Sequence, residues 1–478
     1  MSVLNSSKPI MRFFEDITKI PHGSYNEKEL SDYIEAFAKE RNLNYKRDDM
    51  HNIIIYKPGI NGLENSEPLI LQGHIDMVNE KNNDSTHDFT KDALKLYIED
   101  GWLSAEGTTL GADDGIAVAY MLAVLNDTTI KHPPLECIFT VQEEVGLFGA
   151  ANIKKEDLSA KRMIGMDSGS EGVTSVSSSG GRRTILTKEV TFESNINPCY
   201  QLKLSGLLGG HSGGSIHLER GNANKLAFRM LLNLLKHDVD IQIINVTGGL
   251  KENAIPRECN VIFSSSRSLK TINAYLEEIY AKISEELEFS DPNFCYELES
   301  YPNCDKAISS EVSKKLIQLV YLSPNGFKAR SLAIEGLTTV SLNLGVIRLE
   351  EAKLCCYFSI RSPMKAAIEE LSTQIDVLAE LFNASVIHTA DYPGWNYDPN
   401  SELRKVLADV TLEMFDRELV EHAGHGGLET GIFKGLIPEL DIVTLCAITK
   451  DIHTPDERLN LESFEKMYDF LVTVLARL

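Results

Sequence analysis

The stretch LILQGHIDM, residues 69–77, decides how this chain folds. Its aliphatic start predicts a buried β-strand, and the apolar run stops at His74 and Asp76. Residues i and i+2 of a strand point to the same side, so this strand end presents an imidazole and a carboxylate together. The stretch therefore predicts a strand that ends in a functional site.

Further short apolar runs of the same kind follow along the chain. They read NIIIYK, LECIFTVQEE and KRMIGMD, and the helix-like run DDGIAVAYMLAVLND precedes the second of them. The alternation of strands and helices predicts an α/β domain with a mainly parallel sheet. The α/β pattern returns near the end of the chain, where LDIVTLCAI predicts another buried strand.

The middle of the chain has a different pattern, with longer alternating strands such as KLCCYFSIRS between helices such as NANKLAFRMLLNLLKH. This pattern predicts a separate α+β domain inserted at residues 187–389. The α/β domain would then consist of residues 1–186 and 390–478. A hinged insertion of this kind is typical of a lid that closes over a substrate.

Composition limits the classes of function. The formal net charge of -23 disfavours binding to nucleic acid or to anionic membranes. The first residues do not form a secretory signal, and the chain has no apolar run long enough to span a bilayer. Eight cysteines without a C-x-x-C pair indicate reduced thiols, and we expect a cytoplasmic protein.

Side chains of the types that can bind metal follow four of the predicted strands. In open α/β sheets ligands bind beyond the carboxyl ends of the strands, so these side chains should converge. Histidine with several carboxylates suits zinc, and two ions that share a carboxylate would avoid crowding uncompensated charge. The residues at these strand ends are His74 and Asp76, Glu143 and Glu144, Asp167, and His453.

Individual roles follow from position. Asp76 could hold one ring nitrogen of His74 while the other binds metal. Of Glu143 and Glu144, one could bind metal and the other could act as general base, and Asp113 in GADDGI could bridge two ions. Each motif alone has a simpler reading, namely a surface pair, a solvated acidic edge or a turn. Their joint occurrence at strand ends favours a site.

Several longer segments together resemble one known family. They include GHIDMVNEKN, AEGTTLGADDGIAVAYMLAVL, FTVQEEVGLFGA, GLLGGHSGGSIH, HGGLETG and IHTPDE, and they run through nearly the whole chain in the family's order. The chain resembles the M20 metallopeptidases, and among them the aminoacyl-histidine dipeptidases. The resemblance implies a zinc-peptidase catalytic domain with an inserted lid domain, which could also carry a dimer interface.

The resemblance also implies a cofactor of two zinc ions per subunit, with manganese or cobalt as alternatives. One ion would be held by His74 and Asp167 and the second by Glu144 and His453, with Asp113 bridging them. The tail MDSGSEG after the third ligand is less acidic than is usual in the family. Because Asp167 itself is present, metal binding is still expected.

Roles in catalysis and substrate binding are carried over in the same way. Glu143 would be the general base and Asp76 would support His74. His211 in GGHSGG would lie near the scissile carbonyl, and in the family this histidine often comes from the other subunit of a dimer. Substrate binding would involve His211 together with Asn253, Arg361 and Glu429, of which Arg361 would bind the substrate carboxylate.

The expected function is hydrolysis of dipeptides such as aminoacyl-histidine, by a homodimer that binds neither nucleic acid nor membrane. The alternative is an N-acyl amino acid deacylase or carboxypeptidase with the same dinuclear site. A binding module would have lost a ligand or the base, and both are present here. A nucleotide-binding protein would need a phosphate-binding loop, and GTTLGADDG lacks its lysine and spacing.

Overall fold

The computed structural model describes residues 2–478. The α-helices are α1 (Pro9–Ile17), α2 (Lys28–Glu40), α3 (Ala112–Asn126), α4 (Phe148–Asn152), α5 (Ala223–Lys236), α6 (Leu269–Glu286), α7 (Ser310–Leu322), α8 (Lys365–Phe382), α9 (Glu402–Phe415), α10 (Glu429–Leu436) and α11 (Leu461–Leu475). Short 3₁₀ turns lie at Lys155–Asp157 and Ile216–Leu218.

The strands of the first third are β1 (Asn44–Arg47), β2 (Ile53–Lys57), β3 (Leu69–His74), β4 (Leu96–Glu99), β5 (Trp102–Ala105), β6 (Leu135–Thr140), β7 (Arg162–Gly165) and β8 (Val173–Ser175). The middle contains β9 (Gly180–Glu189), β10 (Phe192–Ser194), β11 (Cys199–Ser205), β12 (Gly210–His211), β13 (Gln242–Gly248), β14 (Ala254–Ile255), β15 (Cys259–Ser264), β16 (Cys295–Tyr301), β17 (Lys306–Ile308), β18 (Gly326–Arg330), β19 (Thr338–Glu350), β20 (Lys353–Ser362) and β21 (Ser385–Tyr392). The last are β22 (Val420–His422), β23 (Asp441–Thr444), β24 (Thr449–Lys450) and β25 (Arg458–Asn460).

The chain divides into two compact units. The first unit consists of the chain up to Ser178 together with Trp395–Ala423 and Leu428–Leu478, and the second unit consists of Ser179–Gly394 together with Gly424–Gly427.

The first unit is built on a sheet with the strand order β1-β2-β6-β3-β7-β23. Strands β6, β3, β7 and β23 are parallel, and β1 and β2 extend the sheet in the antiparallel sense. Every residue of β3 and β6 is buried, which explains their continuous apolar runs. Helix α3 packs very close to β3 at Gly73. A Cβ atom at this position would lie only 2.3 Å from the Cβ of Ala117, so the close packing requires glycine here. The predicted α/β class with a largely parallel sheet is confirmed.

The second unit contains an antiparallel sheet with the order β16-β11-β15-β13-β19-β20-β9-β21, to which β18 adds beside β19. Along β20 the residues alternate: Leu354, Cys356, Phe358 and Ile360 lie in the hydrophobic core. Apolar residues of α5, α6, α7 and α8 contribute to the same hydrophobic core. The residues between them on β20 belong to the other face of the sheet, which is characteristic of an antiparallel sheet covered on one side.

The boundaries of the second unit differ from those expected at residues 187–389. Strand β9 begins at Gly180 and pairs with β20 over its whole length, from Glu189 opposite Lys353 to Gly180 opposite Ser362. The sequence pattern changes within this strand, so the predicted boundary at residue 187 left the first part of β9 outside the inserted domain. Within residues 2–478, no helix combines the length and the apolarity needed to cross a membrane.

Candidate metal centre

The carboxyl ends of the parallel strands bring the predicted ligands of the first unit together. Strand β3 ends at His74, Glu144 follows β6, Asp167 follows β7, and Asp113 lies at the start of α3. Two overlapping groups have ligand atoms that all lie within 4.8 Å of one another. The groups are His74, Asp113 and Glu144, and His74, Asp114 and Asp167.

Asp113 lies between the two histidines. Its Oδ1 is 3.2 Å from Nε2 of His74, and its Oδ2 is 3.1 Å from Nε2 of His453. Asp167 lies on the side of His74, with Oδ1 3.9 Å from Nε2, whereas Oε1 of Glu144 lies 2.8 Å from Nε2 of His453. The five side chains thus form two groups of possible ligands, with Asp113 in contact with the histidine of each group.

The donor set fits divalent cations. Oε1 of Glu144 is buried and has no hydrogen bond of acceptable geometry with the described residues. Burial, followed by repulsion from Asp113, raises the pKa of Asp167 well above its ordinary value. Buried carboxylates that lack donors and repel one another are stabilised by a bound cation, and nitrogen with oxygen ligands suits zinc.

The sequence predicted that His453 directly follows a buried strand, but in the structure it does not. Strand β23 ends at Thr444, and His453 lies in the loop after the short strand β24. Its backbone is left-handed, with a φ of 62°, and its side chain is 44% exposed. A non-glycine residue in this region is strained, and such strain persists where the surroundings hold the residue for a function.

Asp76 supports the site differently from the prediction. Nδ1 of His74 lies 2.9 Å from the backbone carbonyl oxygen of Asp76 and 3.5 Å from its carboxylate. The carboxylate instead accepts hydrogen bonds from the backbone N–H of Glu143 at 3.0 Å and of Glu144 at 3.3 Å, and from the hydroxyl of Ser24 at 2.8 Å. The strand ends at His74, so the alternation that the prediction used does not continue to Asp76. Asp76 therefore fixes both the ring of His74 and the turn that carries the two glutamates.

Glu143 is the residue that the sequence predicts to be the general base. Its side chain is largely withdrawn from water, and this burial raises its pKa to about 7, with Glu144 adding to the rise and His74 opposing it. A carboxylate that titrates near neutral pH can take up a proton from water and give it up again.

Two further residues of the site were not singled out in the sequence. The buried carboxylate of Glu457 accepts hydrogen bonds from consecutive backbone N–H groups of Leu110, Gly111, Ala112 and Asp113, at 2.8, 3.1, 2.9 and 3.4 Å. Asp114 accepts from the backbone N–H of Ala117 and of His74, both at 3.3 Å. The only sequence signal for Glu457 is its place in IHTPDE, and its partners lie more than 340 residues away.

Glu429 is buried and is hydrogen-bonded to two strands of the first unit. Its Oε2 accepts hydrogen bonds from the side chains of Gln72 in β3 and Thr140 in β6, and the residue is 1% exposed. Burial, followed by repulsion from Glu143, raises its pKa to about 8. Its contact with substrate stays a prediction.

The other predicted substrate residues lie in the second unit. Arg361 in β20 is 8% exposed, and its guanidinium donates to Oγ of Ser212 at 3.4 Å and to the hydroxyl of Tyr392 at 3.1 Å. The backbone N–H of Ser212 in turn donates to the carbonyl of Asn253 at 2.8 Å. His211 is exposed, and partial burial with the charge of Arg361 lowers its pKa. The structure therefore groups His211, Asn253 and Arg361 within one unit.

Comparison with known proteins agrees with these observations. The model of peptidase family M20/M25/M40 matches residues 70–477. The chain is 35% identical to the cytosol non-specific dipeptidase of Escherichia coli, over 99% of this chain and 98% of that protein. The structure of the aminoacylhistidine dipeptidase of Vibrio alginolyticus superposes with a TM-score of 0.93 at 34% identity, covering 100% of this chain and 98% of the other.

A more distant structure shares the fold. The aminopeptidase PepT of Bacillus cereus matches with a TM-score of 0.56 at 15% identity, over 99% of both chains. The family resemblance found in the sequence is confirmed, and the chain belongs to peptidase family M20/M25/M40.

Proposed function

We propose that this protein is a metal-dependent dipeptidase that holds two divalent ions. The observation that carries the proposal is the position of Asp113, whose two oxygens face different histidines. Two relatives of about one-third identity that align over nearly the whole chain bear the names of dipeptidases.

The ligands we assign to the ions are His74 and Asp167 on one side, Glu144 and His453 on the other, and Asp113 between them. Zinc is the expected metal because imidazole and carboxylate are its common ligands, and manganese or cobalt are alternatives. When bound, the ions would polarise the peptide carbonyl and make a water molecule more acidic.

The chain's own residues would complete the reaction. Oε of Glu143 takes the proton of the attacking water and later delivers it to the nitrogen of the leaving amine. Asp76 holds the backbone of Glu143 in place, as its hydrogen bond of 3.0 Å indicates. His211 would stabilise the negative oxygen of the tetrahedral intermediate.

Selection for short substrates is assigned to Arg361. Its guanidinium is held by Ser212 and Tyr392, so it presents a fixed fork of donors to the free carboxylate of a dipeptide. In a longer peptide further residues separate the free carboxylate from the bond that is cleaved, so binding of the carboxylate by Arg361 would favour short substrates.

We further propose a homodimer in the cytoplasm. The dimer is implied by the family resemblance, in which the lid histidine often acts in the other subunit. The cytoplasm is supported by the cysteines, because all eight are free thiols. Sedimentation analysis of the purified protein tests the dimer directly.

The experiment that tests the function combines metal analysis with two substrate classes. Alanyl-histidine and acetyl-histidine are assayed before and after chelation, and again after zinc is restored. We expect metal-dependent cleavage of the dipeptide and little cleavage of acetyl-histidine. The reverse preference would identify an N-acyl amino acid deacylase, and no cleavage by metal-loaded protein would exclude both enzymes.

Glu143→Gln gives the matching test of the base. It should lower kcat by about 10²- to 10⁴-fold and keep the metal content. The exposed Glu156→Gln serves as control, since it makes the same chemical change away from the site.

A further inference from the structure

The second unit contains a cavity with an unusual charge. Its volume is about 520 Å³, and Arg361, Asn253 and Tyr392 are among the residues that line it. Four basic residues, Arg183, Lys251, Arg348 and Arg361, and one acidic residue, Glu252, line it. Arg182 also borders the cavity, but it lies opposite the core residue Ile360, and its guanidinium pairs with Asp391 on the other face of the sheet. The formal net charge of the whole chain is -23, so this cavity concentrates positive charge against the trend of the protein. A basic cavity attracts anions.

The strand register places a second arginine next to Arg361. In the antiparallel pair β9 and β20, Gly181 lies opposite Arg361, and Arg183 lies opposite Ser359. Directly opposed residues share one face of a sheet, so Arg183 and Arg361 project from the same face as diagonal neighbours. The Cα atoms of such neighbours are about 7–8 Å apart, within reach of long side chains.

Arg183 retains capacity to bind an anion. Its Nη2 pairs with Oε1 of Glu252 at 2.5 Å, but its Nε is buried and has no hydrogen-bond partner among the described residues. The guanidinium lies 5.6 Å from the centre of the Tyr357 ring, which restricts its orientation. The side chain is still 42% exposed, so a ligand in the cavity can reach it.

We propose that Arg183 forms a second anion subsite that recognises an acidic side chain on the C-terminal residue of the dipeptide. The inference rests on the proposed function, in which Arg361 binds the α-carboxylate of that residue. Aspartate and glutamate carry a second carboxylate one or two methylene groups from the α-carbon, and both arginines line the one cavity that would receive it. Lys251 and Arg348 in the same wall add positive potential.

Glu252 is the internal competitor for this subsite. Its carboxylate occupies part of the Arg183 guanidinium in the free protein, and an incoming acidic side chain has to share or replace that contact. A neutral isostere such as asparagine can accept one hydrogen bond from the guanidinium, but it has neither the negative charge nor the second oxygen that a bidentate ion pair needs. The subsite therefore predicts discrimination between substrates that differ in charge but hardly in size.

The test compares alanyl-aspartate with alanyl-asparagine, and alanyl-glutamate with alanyl-glutamine. KM and kcat are measured for the wild type, Arg183→Gln and Arg229→Gln. The control Arg229 forms an equally short ion pair of 2.5 Å with Glu286, and its side chain is 32% exposed on the same unit. We expect Arg183→Gln to raise KM for the acidic member of each pair about tenfold more than for the neutral member. Arg229→Gln should leave the ratio of the two KM values as in the wild type.

A second variant acts in the opposite direction. Glu252→Gln frees Arg183 and removes a negative charge from the cavity, so KM for alanyl-aspartate should fall relative to alanyl-asparagine. Equal changes of KM for the acidic and neutral dipeptides in both variants would overturn the inference. The comparison of two variants with opposite expected effects also separates a lost subsite from a general loss of folding.

Failure of the proposed function gives a different result. Metal-loaded wild type that cleaves no dipeptide refutes the function, and calorimetric binding of alanyl-aspartate and alanyl-asparagine then decides on the subsite alone. Tighter binding of alanyl-aspartate that is lost in Arg183→Gln supports the subsite, and equal binding of the two dipeptides overturns it.

Discussion

Nε2 of His453 lies 2.8 Å from Oε1 of Glu144, yet this buried oxygen has no hydrogen bond of acceptable geometry. Two polar atoms that approach so closely without a hydrogen bond are arranged like ligands of one cation. The predicted site residues of the first unit can be tested on this basis, starting with the metal itself.

Asp113→Asn should reduce the metal content from about two ions per chain to one or fewer. The reason is that each oxygen of Asp113 faces a different histidine, and an amide offers only one neutral oxygen. Metal analysis of the purified variant measures the change, and the exposed Asp409→Asn serves as control. Retention of two ions by Asp113→Asn would contradict a bridging role.

Glu457→Ala should lower the free energy of unfolding by about 3 kcal/mol at saturating metal, because it leaves several buried backbone N–H groups without an acceptor. Glu457→Gln keeps one acceptor oxygen and should lose less. Both variants should bind metal more weakly, since Glu457 positions the segment 110–113 that leads into Asp113.

Denaturant unfolding and metal titration give the two readouts for Glu457. Glu439→Ala removes an exposed carboxylate and should leave both unchanged. If Glu457→Ala is destabilised but binds metal like the wild type, the positioning role is wrong.

Arg361→Met should raise KM for alanyl-alanine by about 10- to 100-fold, because a charge-assisted hydrogen bond to the substrate carboxylate is lost. Arg361→Lys keeps the charge but loses the fork of donors, so its KM should be intermediate. The matched substrate is alanyl-alanine amide, which has no carboxylate and should respond little to either variant. Equal effects on both substrates would indicate a general disturbance of β20.

The pH dependence of stability should carry a contribution from His425. Burial, with a smaller effect of Arg361, lowers the pKa of His425 from 6.5 to about 3. Between these values the unfolded chain binds more protons than the folded protein, so stability falls as the pH decreases through this window. From pH 7 to pH 5 the loss should be about 2 kcal/mol, at 1.36 kcal/mol per pH unit below the unfolded pKa.

His425→Gln removes this titration. The difference in unfolding free energy between wild type and variant should therefore change by the stated amount between pH 7 and pH 5. Comparing the two proteins at each pH cancels the release of metal by acid, which affects both. Parallel stability curves would show that His425 is not held in the neutral form.

Sequence periodicity predicted the buried strands well, because continuous apolar runs report burial on both faces of a sheet. The run from Leu69 to His74 is β3 in the structure, and the predicted helix with Asp113 at its start is α3. Periodicity ends where the strand ends, and for this reason the orientation of Asp76 was not predictable. The backbone of the turn brings the carboxylate of Asp76 to the N–H groups of Glu143 and Glu144, while one of its oxygens stays 3.5 Å from Nδ1 of His74.

Contacts between distant parts of the chain were beyond sequence reasoning as well. Glu457 caps a segment that precedes it by more than 340 residues, and the hydroxyl of Ser341 lies 2.7 Å from Nε2 of His425. Neither contact leaves a local pattern, since each joins two segments that are far apart in the sequence.

The assignment of Gly424–Gly427 to the second unit has a consequence for biosynthesis. These four residues are flanked on both sides by parts of the first unit, so the second unit is incomplete until residue 427 of 478 has been translated. A nascent chain that ends at Gly394 contains Ser341 but not its partner His425. The ribosome therefore has to deliver residues 395–427 as well before the second unit can acquire its last segment, and an excised fragment of residues 179–394 would lack it permanently.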